Sequence, residues 1–190
     1  MIHRNRLRSA WNRVGSGEIH RAPREWQPWL SDTGSLTQKI ENAIGQKLEV
    51  QVLRDCPQSL NSDESRYFHF KLRRCRVREV LLCSNGIPLV MAHSVIPTLS
   101  SSGSNHQVLR LGTKPLGAVL FSKTRKYSKT KPPRDIARLD KSSELWKKYS
   151  KHFADLDSPL WARRTLYRLK GHPILVNEIF LPALLQTAKR

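Results

Sequence analysis

Acidic residues, cysteines and long apolar runs are scarce in this chain. Its 190 residues hold 15 Asp and Glu against 34 Lys and Arg, a formal net charge of +19, which raises the surface potential and favours anionic partners: nucleic acid, anionic lipid or a small anionic substrate. Cys56, Cys75 and Cys83 form an odd set without CxxC spacing, so neither a disulfide framework nor a thiolate zinc site is indicated, and a reducing cytoplasm is the expected location. The seven histidines are scattered, with no helix-spaced pair to ligate a metal, and no metal is expected. The longest apolar stretch, residues 179–185, contains Pro182 and falls far short of the roughly 20 residues that cross a bilayer. The basic start, with Arg4, Arg6, Arg8 and Arg13 before the first acid at Glu18, lacks the apolar core of a secretory signal.

What is present reads as one packed domain. The chain is 38% hydrophobic with 11 Pro and 9 Gly, a globular composition at a length suited to a single core. Residues 1–25 read as a basic, poorly ordered terminus, and residues 26–190 as the domain proper. Trp26, Trp29 and Leu30 share a helical face. Ser35 can cap a helix that carries Leu36, Ile40 and Ile44 on one side and stops at Gly45. Residues 47–54 alternate as a half-buried strand, and the stretch to Ser65 is loop-like. Residues 67–97 form two extended segments around Asn85-Gly86, a pair suited to a type I′ hairpin turn. If Ser84 faces Ile87, counting back sets Arg78 opposite His93, and a bulged loop would shift that pairing by one position. Pro115 opens a short helix. A basic excursion follows, then an amphipathic helix marked by Leu145, Tyr149, Phe153 and Leu156. Residues 165–170 and 173–181 make a second hairpin around Gly171 and His172. Antiparallel strands with interspersed helices give an α+β class.

Two side chains are candidates for chemistry, against the plainer alternatives of a surface arginine whose stem covers the sheet for Arg78 and a salt bridge within the basic protein for Glu178. Arg78 shares a strand face with Val80 and Leu82, so its guanidinium can reach a partly apolar pocket and offer a bidentate fork to a carboxylate. Glu178 alternates in step with Ile174, Val176 and Phe180, where an unpaired carboxylate would be expensively desolvated; it needs a partner or a proton. The helix starts at Leu36 and Leu116 add backbone N–H groups with no intrahelical acceptor.

The sequence resembles the chorismate pyruvate-lyase family in its blocks WLSDTGSLTQKI from Trp29, VREVLLCSNGIPLV from Val77, LGTKPLGAVLF from Leu111, LWARR from Leu160 and LKGHPILVNEIFLP from Leu169. They occur in the family's order over most of residues 26–182. The resemblance implies a cofactor-independent lyase that splits chorismate into 4-hydroxybenzoate and pyruvate for ubiquinone biosynthesis. It also implies a single α+β domain in which helical flaps cover a buried ligand site on an antiparallel sheet, and a monomer is expected. By family analogy, Arg78 and the amides of Leu36 and Leu116 hold the ring carboxylate. Glu178, the acidic catalytic candidate beside Arg78, meets the oxygen that becomes the product hydroxyl. His93 stands where family members often carry Arg, which makes it the candidate for the second carboxylate, with a strength that depends on its protonation. The segment 122–159 reads as a basic insertion.

Two other classes compete. A non-catalytic small-molecule-binding module is similar in fold, since ligand-sensing domains of bacterial transcription regulators share this architecture. A nucleic-acid partner would have to come through residues 123–134, where Tyr127 alone could stack on a base, and the composition does not favour it.

Overall fold

A computed structural model describes residues 11–13, 17–68, 75–98, 108–121, 132–153, 156 and 159–188. Their elements run in order as β1 (Asn12–Arg13), a 3-10 turn (Glu18–Arg21), α1 (Gln27–Ser31), α2 (Leu36–Ile44), β2 (Glu49–Gln58), α3 (Ser62–Tyr67), β3 (Cys75–Ser84), β4 (Ile87–Pro97), α4 (Leu116–Leu120), β5 (Arg134–Leu139), α5 (Glu144–Ser150), β6 (Leu160–Leu169), β7 (His172–Phe180) and α6 (Ala183–Thr187). The strands form one antiparallel sheet in the order β1-β5-β6-β7-β4-β3-β2. The architecture is α+β in a single domain.

Local chemistry accounts for the boundaries nearest the site. Ser35 accepts a hydrogen bond from the Gln38 amide at the start of α2, and Gly45 ends the helix in the left-handed region at φ 71°, where a side chain would be strained. Asn85 and Gly86 turn the β3–β4 hairpin with φ of 49° and 74°, the pair of positive angles a type I′ turn requires.

The helices divide the core by face. Trp29 and Leu30 of α1, Leu36 and Ile40 of α2 and Leu184 of α6 pack with Val80, Leu82, Val90, Trp161 and Phe180 on one side of the sheet. Leu120 of α4 packs further along the same side with Ile96, Tyr167, Ile174 and Val176. On the reverse side, Tyr149 of α5 packs with Leu81, Met91, Ala137, Ala162 and Ile179.

Five expectations are revised. The loop expected up to Ser65 is instead the continuation of β2 to Gln58 followed by α3. A reciprocal cap fixes α3: the Asn61 side chain accepts from the Glu64 amide while the Glu64 carboxylate accepts from the Asn61 amide. The expected excursion at 122–159 contains β5, hidden because RDIARL mixes charged and apolar residues that are buried on both faces; residues 122–131 lie outside the described set. Packing begins before Trp26, since Ala22 is buried and Ile19 rests on the same cluster. The second turn uses Lys170 and Gly171, with φ of 50° and 86°, so Leu169 pairs with His172.

The fifth revision bears on function. Ser84 does face Ile87, but a bulge between Leu82 and Cys83 shifts the remaining pairs, so Arg78 lies opposite Ser94 and His93 lies opposite Glu79. Pro88 stands beside this irregularity, and a residue without an N–H is tolerated in a strand where the ladder is already interrupted. A one-residue slip sends a side chain to the other face.

Candidate active site

Pairs across an antiparallel ladder share a face, so the registers place Arg78, Ser94, Val176 and Thr165 in one row across the sheet, and Val80, Ala92, Glu178 and Arg163 in the next. Above these rows α2 and α4 leave a small cavity partly open to solvent. Arg78 and Ser94 line it at one end and Glu178 and Tyr167 at the other. Val80, Leu82, Ala92, Leu120, Phe121 and Val176 supply apolar walls, and Leu36 and Leu116 bring the two helix starts against it. The two covering helices approach closely: a Cβ built on Gly117 would stand 3.4 Å from Ser35 Oγ.

Arg78 is almost fully buried. Its Nη1 donates to Asp55 Oδ2 at 2.9 Å, and its Nη2 donates to the carbonyls of Gly112 at 2.8 Å and Lys114 at 3.2 Å. Three of its five N–H donors therefore fix the guanidinium between β2 and the loop entering α4, which also positions Leu116. Nε and one Nη1 hydrogen stay uncommitted among the described residues. Asp55, which takes both Arg76 and Arg78, was hidden in a segment that read as loop.

Glu178 has the partner its burial demands. Arg163, fully buried on β6 and directly opposite it, donates from Nε to Oε2 and from Nη2 to Oε1 at 3.3 Å. The same guanidinium donates from Nη1 to the carbonyls of Trp29 at 2.8 Å and Asp32 at 2.9 Å. Burial opposes its charge, but Glu178 more than compensates and raises the Arg163 pKa above its ordinary value. Arg163 thus couples the acid to the segment that leads into α2. Sequence reasoning missed it because a turn at Gly171-His172 gives the wrong cross-strand partner; counted from Lys170-Gly171, Glu178 falls opposite Arg163. Tyr167 beside them stays a neutral phenol, its pKa raised by burial and by the Glu178 charge.

His93 lies elsewhere. It is buried on the reverse face, with Nδ1 2.9 Å from Glu79 Oε1 and Nε2 2.6 Å from Glu64 Oε1. The structure therefore brings together Arg78, Glu178, Leu36 and Leu116 and separates His93 from them. Among the described residues no group of three or more His, Cys, Asp or Glu is arranged to hold a metal ion; the two His93 nitrogens point at different carboxylates. No helix of the described residues is long and apolar enough to cross a membrane.

A buried arginine with two uncommitted donors at one end, an acid held by an arginine at the other and apolar walls between suit a flat ring bearing a carboxylate opposite a hydroxyl or ether. The chain is 37% identical over 166 residues to a probable chorismate pyruvate-lyase of Thiobacillus denitrificans, covering 86% of each chain. It is 35% identical over 184 residues to a protein of the same name from Nitrosospira multiformis, covering 93% of this chain and 99% of the relative. Its fold is similar to the effector domain of PhnF from Mycobacterium smegmatis, with a TM-score of 0.56 at 13% identity over 80% of this chain and 91% of that one. A family model described as chorismate lyase matches residues 7–190, and with these relatives it establishes that the chain belongs to the chorismate lyase family.

Proposed function

We propose that this protein is a chorismate pyruvate-lyase that releases 4-hydroxybenzoate and pyruvate and serves ubiquinone biosynthesis in the cytoplasm, acting as a monomer. The observation that carries the reading is that Arg78 and Glu178, 100 positions apart in the sequence, line one cavity in a chain of this family. The free donors of Arg78 and the amides of Leu36 and Leu116 receive the ring carboxylate. Apolar contacts from Val80, Leu82 and Val176 hold the ring, and Glu178, oriented by Arg163, meets the ring oxygen that the product retains.

In the reaction the ring carbon–oxygen bond to the enolpyruvyl group breaks, the neighbouring ring carbon gives up its hydrogen as a proton, and the departing enolpyruvyl fragment takes up a proton to become pyruvate. The new ring double bond completes an aromatic system, which supplies much of the driving force. The protein's part is to hold a dianion in reacting geometry, stabilise charge at the leaving oxygen and exclude water.

Purified protein given chorismate without added metal should yield 4-hydroxybenzoate and pyruvate in equal amounts. Arg78→Ala and Glu178→Gln should each lower kcat/KM by about a hundredfold or more, the scale of losing one preorganised electrostatic contact. Full activity in both variants would remove these residues from the mechanism. Retention of 4-hydroxybenzoate with no turnover of chorismate would point instead to a binding module of the same fold.

A further inference from the structure

Chorismate carries two carboxylates, and with His93 on the reverse face the second has no assigned partner. Among the described residues, one other buried cation on the cavity face is left with donors to spare. Arg134 begins β5 and pairs with Thr165, extending the row that runs through Val176 and Ser94 to Arg78. It is buried, its Nε donates to Thr165 Oγ1 at 2.9 Å, and its Nη1 and Nη2, both shielded from solvent, make no well-formed hydrogen bond among the described residues, with the Tyr167 hydroxyl as a close polar neighbour. Unsatisfied buried guanidinium nitrogens are costly and rare. Burial and the nearby Arg163 charge hold the Arg134 pKa below its ordinary value, against a smaller opposing pull from Tyr167 and Glu178. Tyr167 and Glu178 line the cavity and Arg134 does not, so Arg134 acts on the acidic end from outside the lining.

We propose that Arg134 is the binding residue for the enolpyruvyl carboxylate, so that the substrate is held at both ends by arginines of one sheet row while the product is held only by Arg78. This rests on the lyase reading above. Four strand spacings separate the two arginines, about 19 Å between backbones, a gap that the substrate and the two side chains together must span. Once the carbon–oxygen bond breaks, the Arg134 contact leaves with pyruvate and the ring stays at Arg78.

The test compares substrate with product. Arg134→Gln should lower kcat/KM for chorismate by about a hundredfold, chiefly through KM, while the dissociation constant of 4-hydroxybenzoate moves less than about threefold; Arg134→Lys should recover part of the loss. An equal loss of chorismate turnover and 4-hydroxybenzoate affinity would make Arg134 a scaffold residue, and unchanged chorismate kinetics would dismiss it altogether. A second measurement needs no variant. Wild-type protein should bind 3-(carboxymethoxy)-4-hydroxybenzoate at least about tenfold tighter than 3-ethoxy-4-hydroxybenzoate, its near-isostere without the second charge. Equal binding would overturn the subsite whatever the variants do. A clear preference in a protein that fails to turn over chorismate would sink the lyase reading and leave the dicarboxylate site standing.

Discussion

Arg163 and Arg164 are adjacent in sequence and point to opposite faces of the sheet, and the surroundings each meets separate a site from a scaffold. Arg164 lies between two rings, 4.0 Å from the Tyr67 centroid and 4.5 Å from that of Trp11, and pairs with Asp63 at 2.7 Å and Asp135 at 3.2 Å. Beside it, His93 bridges Glu64 and Glu79, and Lys148 closes on Glu79. On that face each charged group meets an opposite charge from within the fold, and only Arg164 Nε lacks an acceptor among its guanidinium nitrogens. On Arg163's face the pairing is incomplete: Glu178 is matched, but Arg78 keeps uncommitted donors and Arg134 has two unsatisfied nitrogens. Buried charge that the protein completes itself contributes to the structure, whereas buried charge left incomplete around a cavity marks where a ligand must complete it.

Arg163→Met should destabilise the fold by about 3–5 kcal/mol, because Glu178 is left buried and unpaired, and should abolish measurable turnover. The double change Arg163→Met with Glu178→Leu should recover most of the stability in denaturant titrations while turnover stays absent. Activity surviving in the double variant would show that the pair is structural.

On the other face the effect should fall on stability alone. His93→Gln should cost about 2–3 kcal/mol, the penalty of leaving hydrogen-bonded buried carboxylates partly unpaired, and should move KM for chorismate less than about threefold. A tenfold rise in KM with unaltered unfolding would return His93 to the substrate.

The same cluster makes stability depend on pH. Burial works against the charge on His93, yet hydrogen bonds to Glu64 and Glu79 leave its pKa raised above 6.5. Its stabilising contribution is thus fully present below pH 6.5 and is lost as pH rises through the folded value. Burial likewise pushes the Glu79 carboxyl up, but His93 and Lys148 outweigh it and bring it to about 2; that contribution is present above pH 4.5 and fades as pH falls toward 2. Unfolding midpoints measured across this span should decline at both ends in the wild type. The alkaline decline should be missing in His93→Gln, and its persistence there would assign it to other groups.

The smallest effect concerns the lid over the cavity. Ser35→Ala removes the cap of α2 and should cost about 1 kcal/mol, with a modest increase in KM as the Leu36 amide loses its fixed direction. A stability loss with unchanged KM would take that amide out of the binding set.

Much of the site was readable locally. The cap at Ser35, the stop at Gly45, the Asn85-Gly86 turn and the alternation around Arg78 and Glu178 all depend on neighbours within a few residues, so the chain announces them. Arg163 and Arg134 escaped because their importance lies in registers: the first depends on which two residues turn the β6–β7 hairpin, the second on β5 being recognised as a strand. His93 was misplaced by a single residue through the bulge near Pro88. Asp55 could not be found in a stretch that lacked a strand pattern after Arg54.

From sequence alone came an α+β chain with a basic surface, one correctly placed hairpin turn at Asn85-Gly86, one capped helix and an arginine and a glutamate on apolar strand faces, because propensity, capping and alternation act over a few residues. The three-dimensional structure decided which charges meet. It set Glu178 against Arg163, turned His93 away from Arg78 and brought Arg134 behind the cavity, since strand order and register depend on how the whole sheet packs and a slip of one position reverses the face on which a side chain stands.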